Sequence, residues 1–275
     1  MPPPAMRKPR SQRFRNVLTL LLALLPAAAF SQLRTVELTI GGRATAVDIS
    51  SPAANGTIPI RGTVIIAHGF TRDRHAMAGH AAALAREGYW VIVPDLPYTM
   101  DSRDNARALR DLMQQLRHGA AGPSLDRYVL VGHSAGGLST LLAANAPGVV
   151  GYVGLDPFDR PGGVGLEAAK VLQTPVYLLR GPSAFCNAYA IAEPWVKALP
   201  HLMEDRQLAA ASHCDFESDT DWICEAACGS VDPRRQAVVR EFILASVRRL
   251  LAAPQAAPAR GQVEQVTAQP EQQPH

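Results

Sequence analysis

Before Gln32 the 275-residue chain has no acidic residue, yet it has five basic ones: Arg7, Lys8, Arg10, Arg13 and Arg15. The apolar run that follows, Val17 to Ala29, is thirteen residues long, interrupted by Thr19 and bearing Pro26 near its end. A spanning helix needs roughly 20 apolar residues, so this run is short for a membrane anchor. A basic start, a short apolar stretch and small residues before Ser31 describe a secretory signal peptide. Residues 1–31 are therefore expected to be cleaved, leaving an exported protein, secreted or periplasmic, with no stable membrane anchor.

An excess of basic charge is also missing once that leader is set aside. The whole chain has 27 basic and 24 acidic residues, and removal of the leader leaves 22 against 24. No basic field remains to attract nucleic acid or anionic lipid. Nor is the bulk of the chain disordered, since 47% of it is hydrophobic and only 19% charged.

Cysteine is scarce: Cys186, Cys214, Cys224 and Cys228. No second close Cys or His pair joins the CxxxC spacing of Cys224 and Cys228, so a tetrahedral zinc set is incomplete. An even number in an exported chain points instead to two disulfides, with three pairings open. Asp215, Glu217, Asp219 and Asp221 alternate in one segment, but Thr220 and Ala226 stand where an EF-hand requires glycine and an acid. That segment reads as a solvated loop that also caps a helix. No metal and no cofactor is implied.

What is present is an alternation of apolar strands and amphipathic helices. Leu33–Ile40 and Arg43–Ile49 alternate in polarity about Gly41-Gly42, as a β-hairpin does. Strands follow at Thr63–Ala67, Tyr89–Val93, Arg127–Val131, Val149–Leu155, Pro175–Leu179 and Asp205–Ala210. Helices are expected at Arg74–Glu87, Arg103–Arg117, Ala135–Asn145, Tyr189–Leu199 and Pro233–Leu251, the last with Asp232 as N-cap. This pattern requires a mostly parallel central sheet with helices on both faces and the antiparallel hairpin at its edge. One α/β domain should span 32–251, and the Pro- and Gln-rich tail 252–275 is expected to be disordered.

Gly132-His133-Ser134-Ala135-Gly136 is a G-x-S-x-G pentapeptide that follows an apolar strand and opens a helix. That context makes it a nucleophile elbow: the serine stands in a strained turn, and the flanking glycines let strand and helix approach closely. The loop after Thr63–Ala67 reads His68-Gly69-Phe70, so the N–H groups of Phe70 and Ala135 are expected to form an oxyanion hole. The base should come late in the chain, and His213 opens an irregular polar loop after the last strand. His68 and His133, both in turn motifs, should hydrogen-bond nearby backbone instead.

The acid is harder to place, because residues 180–192 contain no Asp or Glu. Asp156 stands at the C-terminal end of the strand Val149–Leu155, where open α/β sheets gather their sites. Asp159 and Asp215 remain as alternatives. Phe70, Leu96, Tyr98 and Phe158 are expected to line a substrate pocket.

The segments GHSAGG, LDPFD and SHCDFESDTDW together resemble the chlorophyllase branch of the α/β-hydrolase superfamily. The resemblance implies Ser134, Asp156 and His213 as the catalytic triad of an α/β-hydrolase fold. AHGF and GHSAGG are also similar to the secreted cutinase-like polyester hydrolases. Alanine stands at 135 where chlorophyllases carry arginine. The cysteine nucleophile of dienelactone hydrolases is absent. The expected activity is carboxylic ester hydrolysis on a small-molecule or polymeric ester. An acyltransferase with the same triad, or a non-catalytic binding protein of this fold, is the alternative. The loops carrying Cys186 and Cys214 follow neighbouring strands, and the cutinase-like relatives have a comparable bridge. Cys186–Cys214 with Cys224–Cys228 is the expected pairing, or Cys186–Cys224 with Cys214–Cys228 should the second segment be helical.

Overall fold

The computed structural model describes residues 32–52 and 61–252. The expected signal peptide and the 253–275 part of the tail lie outside the described residues. Eight strands run β1 (Gln32–Ile40), β2 (Arg43–Ser51), β3 (Gly62–Ala67), β4 (Tyr89–Pro94), β5 (Tyr128–His133), β6 (Val149–Leu155), β7 (Val176–Arg180) and β8 (Leu202–Gln207). They form one sheet in the order β1-β2-β4-β3-β5-β6-β7-β8. β1 pairs antiparallel with β2, β2 antiparallel with β4, and every other neighbour is parallel.

The parallel strands are buried on both faces, which is why they read as unbroken apolar runs. Alternate residues serve opposite layers. Ile65, Ile92, Leu130, Tyr152 and Leu178 face α2 (Ser102–Arg117), α3 (Ser134–Ala143), α4 (Val164–Val171) and α5 (Trp195–Ala198). Val64, Val91, Val131, Val153 and Leu179 face α1 (Ala78–Arg86) and α7 (Pro233–Ala252). Asp101 caps α2 through Arg103 N and Asp104 N, and Asp232 accepts from Arg234 N in the first turn of α7.

Three expectations need correction. The stretch read as a helix over Tyr189–Leu199 is helical only at α5. Ala188, Tyr189 and Ala190 are left-handed, at φ of 48°, 59° and 61°, because Asn187 pins the segment with its side chain. The last strand begins at Leu202 and ends at Gln207, three residues earlier than expected at each end. The acidic segment does cap a helix, α6 (Trp222–Cys228), through Asp221, but it is not a solvated loop, because Asp215 and Glu217 are buried.

The disulfides depart from both expected pairings: α6 rules out Cys224–Cys228, and the partners of its two cysteines are the reverse of those expected for a helical segment. The bonds are Cys186–Cys228 and Cys214–Cys224. Cys224 and Cys228 share one regular helix, so each reaches outward to a different loop. α6 thus lies between the loops that were expected to join directly. Its two cysteines staple it to one loop at each end. The sulfurs of Cys214, Cys224 and Cys228 lie within 4.8 Å of one another, but all are spent in these bonds.

Candidate active site

The elbow is built by close backbone approach. A Cβ at Gly132 would lie 2.2 Å from Thr140 Oγ1 and 2.5 Å from Gly136 O. One at Gly136 would lie 2.2 Å from His68 O and 2.6 Å from Ala67 O. Side chains do not fit either position, and their absence lets α3 start directly against β3 and β5. Ser134 adopts φ of 54°, a left-handed conformation uncommon for serine. It is 6% exposed at the first position of α3, with the helix N-terminus beneath it.

Asp156 ends β6, next to β5 in the sheet, and is itself left-handed at φ of 39°. Its Oδ2 lies 2.6 Å from His213 Nδ1, with both side chains buried. Oδ1 accepts from Gly181 N at 2.9 Å and from Asn187 Nδ2 at 3.2 Å. The carboxylate is therefore held by two donors besides the histidine.

Asn187 is the residue that sequence reading missed. It is 1% exposed, donates to Asp156 and Pro182 O, and accepts from Ala184 N and Ala190 N. It sits in the loop after β7, the same loop whose lack of an acid directed attention to Asp156.

The two alternative acids are occupied elsewhere. Asp159 accepts from Arg160 N, Gly165 N, Leu166 N and Trp195 Nε1 at 2.7–2.9 Å, which fixes α4 and α5. Asp215 accepts from Ser212 N, Asp232 N and Arg235 Nε and is completely buried. Neither carboxylate hydrogen-bonds His213.

His68 binds backbone on both sides: Leu96 N donates to its Nε2, so Nδ1 carries the proton and donates to Gly69 O. Burial lowers its pKa and keeps it neutral. His133 departs from expectation. It is 1% exposed, and neither ring nitrogen has a hydrogen-bond partner. Its ring centre lies 4.5 Å from that of His213. Burial holds its pKa well below the ordinary histidine value, with repulsion from His213 in the same direction.

A cavity of about 490 Å³ opens above Ser134. Phe70, Ala135, Leu96, Tyr98 and Phe158 all line it, as does Met100. Tyr98 is fixed there by donating to Gly41 O and by exchanging hydrogen bonds with Asn105. Ala135 is the second residue of α3, so its N–H has no partner within the helix. The 68–70 loop lies beside Ser134: a Cβ at Gly69 would be 3.3 Å from Ser134 Cβ.

A serine on a strand-to-helix elbow, beside a buried Asp–His pair and under an open apolar cavity, is the layout of a hydrolase built on an α/β sheet. The chain belongs to the alpha/beta hydrolase family, whose model matches residues 64–269. A comparison with curated proteins finds no match. No described helix is long and apolar enough to cross a membrane, and the two disulfides are compatible with an extracellular protein.

Proposed function

We propose that this hydrolase cleaves carboxylic esters through an acyl-enzyme, with Ser134 as nucleophile, His213 as base and Asp156 as its partner. The observation that carries this reading is the 2.6 Å contact of Asp156 Oδ2 with His213 Nδ1, one strand from the left-handed Ser134. With Nδ1 engaged, Nε2 takes the serine proton as Oγ attacks the carbonyl carbon. The N–H groups of Phe70 and Ala135 receive the oxyanion. Collapse breaks the ester bond, and the His213 imidazolium returns its proton to the leaving alcohol. Water then attacks the acyl group, giving up its proton to His213, and the acid departs as Ser134 Oγ recovers that proton.

The apolar cavity walls favour esters with apolar acyl or alcohol parts, and the leader and disulfides favour action outside the cytoplasm. A fluorophosphonate probe tests the reading: folded protein should be labelled at Ser134, with p-nitrophenyl esters hydrolysed in parallel. A folded chain left unlabelled would point to the non-catalytic binding protein.

A further inference from the structure

Beside the Asp156–His213 pair lies a second buried ionic group that the reaction described above does not use. Glu217 is 1% exposed. Arg72 grips it with two hydrogen bonds, Nε to Oε1 at 2.8 Å and Nη2 to Oε2 at 2.9 Å, while Nη1 reaches Asp221 at 2.8 Å. Such a forked pair fixes orientation as well as distance. Burial pushes the Glu217 carboxyl upward, and the bonds from Arg72 oppose that rise.

The two partners belong to the two loops that must meet over the scissile bond. Arg72 follows Phe70 and Thr71 in the turn after β3, closed by Arg72 N donating to Gly69 O at 3.3 Å. Thr71 is left-handed at φ of 58°, and Phe70 is 49% exposed. The tip of this turn is thus strained and open to solvent, and Arg72 ties it to the opposite loop. Glu217 directly follows the 3-10 turn His213–Phe216 that carries the base. Its Oε1 lies 3.9 Å from His133 Nδ1, and the His133 ring rests against His213.

We propose that Arg72 and Glu217 are positioning residues, a clamp that sets the Phe70 N–H at its working distance from Ser134 and His213. This rests on the ester hydrolase reading. Glu217 lies outside the cavity, and Arg72 lines it beside Phe70 and Thr71 but spends its guanidinium on Glu217 and Asp221; each acts by holding a loop. The clamp matters in the transition state, when charge appears on the oxyanion, and matters little for ground-state binding in the apolar cavity.

Glu217→Gln keeps the shape of the side chain and removes the charge that holds the fork. It should lower kcat about 10- to 100-fold, short of the full loss of an oxyanion donor, while KM stays within about twofold. The inhibition constant of an alkyl boronic acid, which forms a tetrahedral adduct on Ser134, should rise by the same factor as kcat falls. Arg72→Gln should behave alike, and the double variant should lose no more than either single one, because both break one clamp. Arg72 is the more accessible partner, so its variant provides the test if Glu217→Gln does not fold. Fluorophosphonate labelling of the wild type reports on the hydrolase reading by itself. With that labelling intact, an unchanged boronic acid affinity or a loss confined to KM would overturn the clamp. An unlabelled wild-type Ser134 would overturn both.

Discussion

The elbow around Ser134 and the loop around His213 meet at one site but are held by opposite means. The elbow is a continuous segment whose geometry comes from missing side chains at Gly132 and Gly136 and from the strand and helix on either side. The base loop has little regular structure. It is fixed by what reaches it from elsewhere: Asp156, Arg72, Arg235, His80 and the Cys214–Cys224 disulfide. The first is specified locally and cannot absorb a change. The second is specified at long range and can lose one tether at a time.

Substitutions separate the two regions. The largest effect is expected from Gly136→Ala, whose Cβ would meet backbone atoms of His68 and Ala67 that have no room to yield. It should cost about 4 kcal/mol or more, and an unchanged urea midpoint would contradict the close-approach account. Asp156→Asn should lower kcat by about 10³–10⁴ while the fold melts normally, because the histidine loses its proper tautomer. Asp159→Asn should do the reverse. It weakens the caps of α4 and costs about 1–3 kcal/mol of stability with far less effect on kcat. If the loss of turnover follows Asp159 instead, the assignment of the acid is wrong.

The disulfides divide stability from activity. Replacing Cys186 and Cys228 with serine opens a loop of sequence separation 42, and replacing Cys214 and Cys224 opens one of 10. Chain entropy gives about 4 and about 3 kcal/mol respectively. Yet the second pair, adjacent to His213, should cost more in kcat. Equal kinetic losses would mean that α6 is held as one unit.

The effect spread over the widest range of conditions concerns pH. His80 on α1 contacts Phe216 O in the base loop at 3.2 Å, and burial lowers its pKa to about 4. In the unfolded chain it titrates near 6.5. As pH falls through that value the unfolded state gains a proton that the folded state refuses until about 4. Stability present above about 6.5 is therefore lost across that window, by about 3 kcal/mol. Denaturation midpoints of wild type and His80→Gln should diverge below pH 6.5, and parallel pH profiles would remove His80 from the account.

The same contrast decides what was legible in the sequence. Sheet, hairpin and elbow were readable because each is written in consecutive residues: period-two alternation, apolar runs, and glycines two positions either side of a serine. Chain order points to His213 and the end of β6 to Asp156, and the two side chains do meet, at 2.6 Å. The tethers could not be read in this way. Asn187 is an ordinary polar residue whose significance depends on Gly181 and Asp156 being folded beside it. The false helix over 189–194 followed from composition, whereas the real backbone bends to let Asn187 reach inward. α6 is one short helix in a cysteine-containing acidic stretch, and even a helix there left the partners of Cys224 and Cys228 interchanged, because its direction between the two loops is set by tertiary packing. α4, between Gly163 and Leu172, was left unread for the same reason, being only eight residues long.

The left-handed backbone at Ser134 and Asp156 has an evolutionary consequence. Each such position costs on the order of 1–3 kcal/mol when filled by a residue with a Cβ. Glycine at either would relax the turn, so a lineage released from catalysis would drift toward glycine at 134 and 156 and grow more stable as it did. Glycine is the residue that folding alone would favour at both positions. On the proposed mechanism, this strain is what places the Ser134 hydroxyl and the Asp156 carboxylate for chemistry.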